Sequence, residues 1–309
     1  MINLSKITLT NMSLKANNIY IRRLNKKWKK RSFLIKYQKT IYLSKLYDII
    51  KLRLRWYNVL ALITGASSGL GADMARILSE KGIDLILVAR NKKKMEQLAK
   101  ELKTNVEIIP LDLSATYNCT ELYNMVKKKN IDILINNAGF GLFGEFNSIK
   151  LDKELDMIDL NIKTVHTLTK LFLKDFIKKD KGYILNVASS AAFMPGPLMS
   201  TYYATKAYVL RFTEAIHEEL RHNKSNVYIG ALCPGPVSTN FNKVAGVKFN
   251  LKSLESYDVS KYAINKMFKK KMIIIPGLSI KLGTFMTRFL SHKMQLKVAY
   301  KIQKQKENW

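Results

Sequence analysis

Tyr202 and Lys206 stand four residues apart in the stretch Thr201 to Arg221, whose periodic apolar residues predict a helix, so the two side chains share one helical face. A phenol ordinarily titrates at about 10, and a neighbouring ammonium favours the phenolate, bringing the tyrosine toward acid/base work on an alcohol or carbonyl oxygen. The spacing Y-x-x-x-K is common and says little alone. Its company says more: Ser189 lies thirteen residues before Tyr202, directly after an apolar run that reads as a strand, where a hydroxyl can hold a substrate oxygen beside the phenol. Tyr203 and Ser190 are the neighbouring alternatives, but Tyr203 is three from Lys206 and points elsewhere on the helix, so Tyr202 and Ser189 are assigned. Asn161, in the helical stretch Asp159 to Lys170, is a candidate for positioning a water between the lysine and solvent; an exposed or kinking residue is the plainer reading.

A second set of residues suits a phosphate-bearing ligand. The segment Thr64-Gly-Ala-Ser-Ser-Gly-Leu-Gly71 is a glycine-rich turn between a strand and a helix. Glycines let backbone approach a pyrophosphate, and a helix N-terminus offers unpaired N–H groups and a positive dipole. The spacing is G-x-x-x-G-x-G rather than G-x-G-x-x-G. Nineteen residues after Gly71, at the end of the second strand, stands Arg90, where an NAD-selective site places an acid for the ribose 2′-hydroxyl. A guanidinium there suits a 2′-phosphate, so NADP(H) is the expected cofactor and NAD(H) the alternative. Asp112, after the third strand, either bonds an adenine amino group or caps the next helix. Asn136, Asn137, Ala138 and Gly139 close the fourth strand, with a structural role expected for Asn136. Pro234, Gly235 and Thr239 follow the sixth strand and can shape the nicotinamide end. His166, His217, His222 and His292 show no ligand spacing, and Cys119 and Cys233 are too few for a disulfide framework, so a metal-free site is expected.

These residues need a frame that gathers strand ends. From Val59 onward, short apolar runs alternate with amphipathic stretches: Val59 to Thr64, Ile83 to Ala89, Val106 to Leu111, Ile131 to Asn136, Tyr183 to Ala188, Val227 to Leu232 and Met272 to Ile275 read as strands. Ala72 to Lys81, Lys92 to Lys103 and Cys119 to Lys129 read as intervening helices. The pattern predicts an α/β domain over 57–309, a Rossmann-type doubly wound parallel sheet of about seven strands. Such sheets bind ligands at the carboxyl ends of their strands. The stretch 237–270 breaks the rhythm before the last strand and is expected to fold over a substrate.

In order and spacing, the glycine turn, Asn136-Asn-Ala-Gly139, Asn161, Ser189, Tyr202-x-x-x-Lys206 and Pro234-Gly-x-x-x-Thr239 resemble the short-chain dehydrogenase/reductase family over about 59–277. The stretch from Ile184 to Leu210 looks most like its bacterial-type NADP-dependent reductases. The resemblance implies hydride transfer between NADP(H) and a carbonyl or secondary alcohol. Tyr202 would be the general acid/base, Lys206 would bind the nicotinamide ribose and lower the tyrosine pKa, Ser189 would orient the carbonyl, and Asn161 would maintain a proton relay. It also implies that Thr64, Gly65, Ser67, Gly69, Leu70 and Arg90 line the cofactor phosphates and ribose. Asp112 and Leu113 would meet the adenine, Asn137, Ala138 and Gly139 the adenosine ribose side, and Val237 and Thr239 the carboxamide. Ala188 stands where relatives often carry a second serine. A homo-oligomer is expected from the same likeness.

The chain has 309 residues, 47% of them hydrophobic, enough for one large domain with an appendage, and a formal charge of +30. Residues 1–58 hold 15 Lys/Arg against Asp48 alone, giving +14, so residues 1–56 form a distinct basic extension. Within it, Tyr42, Leu46, Ile49, Ile50, Leu54 and Tyr57 fall on one helical side, a basic amphipathic pattern suited to an anionic bilayer, with Trp28 and Trp56 as interfacial anchors. A disordered tail, a helix packed on the domain, a transit peptide and an RNA-binding tail are the other readings, nucleic acid being the less favoured partner. Lys281 to Lys306 is also basic and amphipathic, suited to a membrane, a substrate pocket or a subunit interface. With no secretory signal and no long apolar run, a cytoplasmic protein, peripheral at a membrane in one reading, is expected. The rival to an enzyme is a non-catalytic NADP-binding scaffold at an anionic membrane or nucleic acid; the Ser189, Tyr202 and Lys206 set argues against it, because binding alone needs no acid/base group.

Overall fold

A computed structural model describes residues 58–239, 241, 245–246 and 253–305. The basic extension, on which the amphipathic pattern of residues 42–57 falls, and parts of the stretch after Thr239 lie outside the described residues. The strands are β1 (Leu60–Thr64), β2 (Asp84–Ala89), β3 (Val106–Pro110), β4 (Ile133–Asn136), β5 (Tyr183–Val187), β6 (Tyr228–Leu232), β7 (Val237–Ser238), β8 (Leu254–Glu255) and β9 (Ile273–Ile274). The helices are α1 (Gly69–Glu80), α2 (Lys92–Glu101), α3 (Thr116–Val126), α4 (Leu151–Ile158), α5 (Thr164–Lys179), α6 (Ser200–His222), α7 (Ser256–Phe268), α8 (Leu278–Met286) and α9 (His292–Lys304).

Seven strands pair in parallel in the order β3-β2-β1-β4-β5-β6-β9, and β7 and β8 form a separate parallel pair. The strand order reverses between β1 and β4, which opens a crevice at their carboxyl ends. All seven expected strands are present, most starting a residue or two later than the apolar runs. Val59, Ile83, Ile131 and Val227 are buried as core residues ahead of the ladders rather than within them. The last strand is only two residues long and closes the sheet edge against Ala231 and Leu232.

The sheet is apolar on both faces, as parallel sheets must be when helices cover both. Along β1, Ala61 and Ile63 join Leu85, Leu87 and Ile135 under α1, while Leu62 joins Ile86, Leu134 and Ile184 under α3 and α5. Phe172 and Phe176 of α5 fill that second face, and truncating either to Ala would cost about 3–5 kcal/mol.

The later part of the stretch 237–270 is α7. Its apolar residues Val259, Ala263, Ile264 and Met267 recur at helical spacing and are buried, the last three in one cluster with α1 residues such as Met74 and Leu78, and Ser260 Oγ donates to Leu70 O at 3.3 Å. So 256–268 buttresses the helix behind the glycine turn. Val237, Thr239 and Phe241, at the start of the stretch, line the cleft at the strand ends together with residues of α8 and α9. Among the described residues, no helix is long and apolar enough to cross a membrane.

Candidate active site

A cavity of about 680 Å³ runs along the carboxyl ends of the strands, from the glycine turn and Arg90 at one end to Tyr202 and the C-terminal helices at the other. At its first end, Gly65 (φ +65°) and Gly69 (φ +54°) take left-handed backbone conformations that favour glycine. A Cβ on Gly65 would sit 2.8 Å from Ala138 Cα, and one on Gly71 would sit 2.5 Å from Gly65 O. The turn is therefore folded as tightly as glycine allows. Ser68 enters α1 without a side-chain capping bond and the first turn carries no acid, leaving a positive helix start beside the cavity wall.

Behind the turn, Thr64 is buried, and its hydroxyl accepts from Asn137 N and Ala138 N, both at 3.0 Å. Asn137 answers by donating Nδ2 to Thr64 O at 3.0 Å and Gly65 O at 3.1 Å. These bonds clamp the ends of β1 and β4 together. Thr64, expected at the cofactor, is thus a brace behind the lining rather than part of it. Asn136 is also buried, donating to Asn186 Oδ1 at 2.8 Å and Thr169 Oγ1 at 3.1 Å inside the sheet.

Arg90 extends from the end of β2 with its side chain 76% exposed, 3.7 Å from Asp112 Oδ2. An exposed pair of this kind contributes little and leaves the guanidinium available. Asp112 itself accepts from Ser114 N and Ser114 Oγ, at 3.0 and 2.8 Å. Its burial raises the carboxyl pKa, but those two bonds and Arg90 outweigh it and hold the group below its ordinary range. Leu113, Ala138, Gly139, Ser67, Leu70, Pro234, Gly235, Val237 and Thr239 line the same cavity.

At the other end, Ser189 follows β5 in an extended conformation, and its Oγ caps a short 3-10 turn by accepting from Ala191 N at 3.1 Å. Tyr202 and Lys206 sit one turn apart on α6, both facing the cavity, with Lys206 Nζ 5.9 Å from the phenol ring centroid. Lys206 Nζ donates to Val187 O at 2.9 Å. Burial raises the Tyr202 pKa above its ordinary value; a hydrogen bond with Ser189 works against the rise and Tyr203 adds to it. Burial also pushes Lys206 down to about 8, with Cys233 acting the other way. Both groups are removed from water, and desolvation is the largest influence on each.

Asn161 lies in a π-helical turn, Asp159–Lys163, between α4 and α5, and is fully buried. Its Nδ2 donates to Phe140 O at 2.9 Å and Thr205 Oγ1 at 3.1 Å, and its Oδ1 accepts from Phe140 N at 3.1 Å. So the side chain stands behind the lining, tying the loop after β4 to α6. A Cβ on Gly139 would meet Asn161 Oδ1 at 2.7 Å, which is why a glycine stands there.

The apolar lining was harder to foresee. Phe140, Met199, Tyr203 and Phe241 surround Tyr202, and Ile280, Met286, Leu290, Val298 and Ile302 reach in from α8, α9 and the turn between them. Tyr203 lines this region too: its hydroxyl accepts from Gln303 Nε2 on α9, and its ring fills the space a Cβ on Gly196 would need. Burial drives Tyr203 up to about 12, against the Gln303 bond. The sequence signal for these contacts was the amphipathic spacing within 281–306, which does not say which side is buried.

The short chain dehydrogenase family model matches residues 59–248. An uncharacterized oxidoreductase of Staphylococcus epidermidis is 29% identical over 225 residues, 72% of this chain and 96% of that protein. A short-chain dehydrogenase from Sphingobium yanoikuyae, solved in complex with NADPH, is 31% identical with a TM-score of 0.67, over 71% of this chain and 88% of that one. The bulky-bulky ketone specific alcohol dehydrogenase from Comamonas testosteroni is 30% identical with a TM-score of 0.64, over 71% and 86%. The chain belongs to the short-chain dehydrogenase family. It is an oxidoreductase acting on CH–OH or C=O groups with a nicotinamide dinucleotide, NAD or NADP.

Proposed function

We propose that this protein is an NADPH-dependent reductase of bulky, apolar ketones, running the reverse oxidation when the alcohol is in excess. The observation that carries it is the cavity itself: an arginine at one end, a Ser–Tyr–Lys set at the other, and an apolar enclosure around the tyrosine.

The residues fit the dinucleotide. The left-handed glycines and the bare start of α1 suit a pyrophosphate, whose charge the N–H groups and helix dipole favour. Arg90 suits a ribose 2′-phosphate through its planar fork of donors. Lys92, Lys93 and Lys94, placed at the start of α2 where the helix dipole disfavours cations, add positive charge to that end. The dinucleotide, when bound, supplies the hydride; the protein supplies position and the proton.

Ser189 holds the substrate oxygen, with its Oγ already fixed by Ala191 N. Tyr202 gives its phenolic proton to that oxygen during reduction and takes one back during oxidation. Lys206 steadies the phenolate by its charge and is itself held by Val187 O. Asn161 acts as a positioning residue, fixing Phe140, which packs near the tyrosine, and Thr205, whose hydroxyl donates to Tyr202 O. The packing of Phe140, Met199 and Phe241 excludes water and selects apolar substituents, in keeping with the ketone specificity of the Comamonas relative.

Consumption of NADPH or NADH is followed with ketones graded in size, from acetone to long alkyl and diaryl ketones. We expect kcat/KM to rise with apolar size and to favour NADPH. Preference for small polar carbonyls, or for NADH, would overturn this reading.

A further inference from the structure

Helix α8 places Leu278, Leu282, Phe285 and Met286 on one side at i, i+4, i+7 and i+8, with exposures of 88, 62, 51 and 50%. Phe289, 69% exposed, continues that apolar strip, and Met294 and Leu296 of α9 are also uncovered. An ordinary surface helix buries such a stripe against its own core. Here the stripe faces outward, and contiguous exposed apolar surface of this kind marks an interaction site.

Charge says what covers it. Lys281, Arg288, Lys293, Lys297 and Lys301 are interleaved with these residues, and the sequence has no Asp or Glu from Val259 to Lys306. Lys281 and Arg288 line a shallow depression of about 250 Å³ together with Phe193, Ile275 and Phe285, so cations and apolar groups meet at one place. A second copy of the chain would bring the same cations against themselves. An anionic bilayer satisfies both features, its acyl boundary taking the apolar groups and its headgroups the lysines. Met286, Val298 and Ile302 are each partly exposed and also line the large cavity, which therefore opens at this surface.

We infer that the α8–α9 face docks the protein onto anionic lipid, with the apolar mouth of the active-site cavity held against the bilayer. This docking stands independently of the cofactor and substrate proposed above, since its test needs no turnover.

Cys119 and Cys233 are both buried, so a single introduced surface thiol can be labelled selectively. The full chain carrying Leu282→Cys, and separately Phe289→Cys, is labelled with the environment-sensitive dye NBD; Lys179→Cys, exposed at the end of α5, is the control. Vesicles of phosphatidylcholine with phosphatidylserine are added, with and without brominated acyl chains. Expected is a several-fold rise in emission at 282 or 289, quenched by bromine, weak in pure phosphatidylcholine and absent at 179. Protein that sediments with the vesicles while both dyes stay unchanged would overturn the inference and leave binding to another surface. A rise that follows protein concentration without vesicles would overturn it in favour of a second copy.

Discussion

Lys206 Nζ crosses from α6 to donate 2.9 Å to the carbonyl of Val187, the last residue of β5 and two before Ser189. One buried bond thus joins the helix that carries Tyr202 to the strand end that carries Ser189. Their relative placement is set by the sheet rather than by the loop between them. The bond also fixes an ammonium in a site that disfavours charge, since burial holds it down to about 8.

That penalty has a sign and a window. Below about pH 8 the lysine is charged in both folded and unfolded chains, and its burial penalty is felt in full. Between about 8 and its ordinary 10.5 the folded protein has released the proton while the unfolded chain still holds it, so stability contributed by this group rises with pH. Wild type should therefore gain on Lys206→Met across that window, by about 1.4 kcal/mol per unit of pKa displacement. Urea unfolding of both proteins at pH 7.5 and pH 10 measures the difference, and parallel pH profiles would contradict it.

Thr64→Val keeps the shape of a buried side chain and removes the acceptor shared by Asn137 N and Ala138 N. Leaving buried N–H groups unsatisfied costs about 1–3 kcal/mol. We expect a lower urea midpoint together with weaker dinucleotide binding, because the glycine turn loses its clamp to β4. Nicotinamide fluorescence and unfolding curves on the same preparation check both.

Arg90→Asp replaces a guanidinium at the end of β2 with a carboxylate. Repulsion of a 2′-phosphate and an acceptor for a 2′-hydroxyl change the balance in the same direction. The preference for NADPH over NADH should fall at least about tenfold, equivalent to about 1.4 kcal/mol, and NADH should bind as well or better. Fluorescence titration with both dinucleotides reads this directly.

The sheet was legible because parallel strands buried on both faces leave continuous apolar runs, as in Leu60–Thr64 and Tyr228–Leu232. The residues at the strand ends were legible because turns that follow strands are where side chains such as Ser189 and Arg90 must act. Roles behind the lining were not: nothing in the spacing of Thr64 or Asn161 tells a brace from a contact, since that depends on which backbone groups need partners. Burial at Tyr202 was not legible for a related reason, because helical spacing gives the distance to Lys206 but not the depth at which the phenol sits. The stretch 237–270 stands out only as a break in the rhythm of strands and helices, and the packing of α7 against Met74 and Leu78 shows which element its apolar stripe faces.

The most direct measurement is NADPH-dependent ketone turnover by Tyr202→Phe beside wild type, with NADPH affinity measured on each. If Tyr202 carries the proton, kcat should fall about 10²–10⁴-fold while NADPH binding stays within about twofold. Turnover within about tenfold of wild type, with binding intact, would show that the proton comes from another group and that this site does not work through Tyr202.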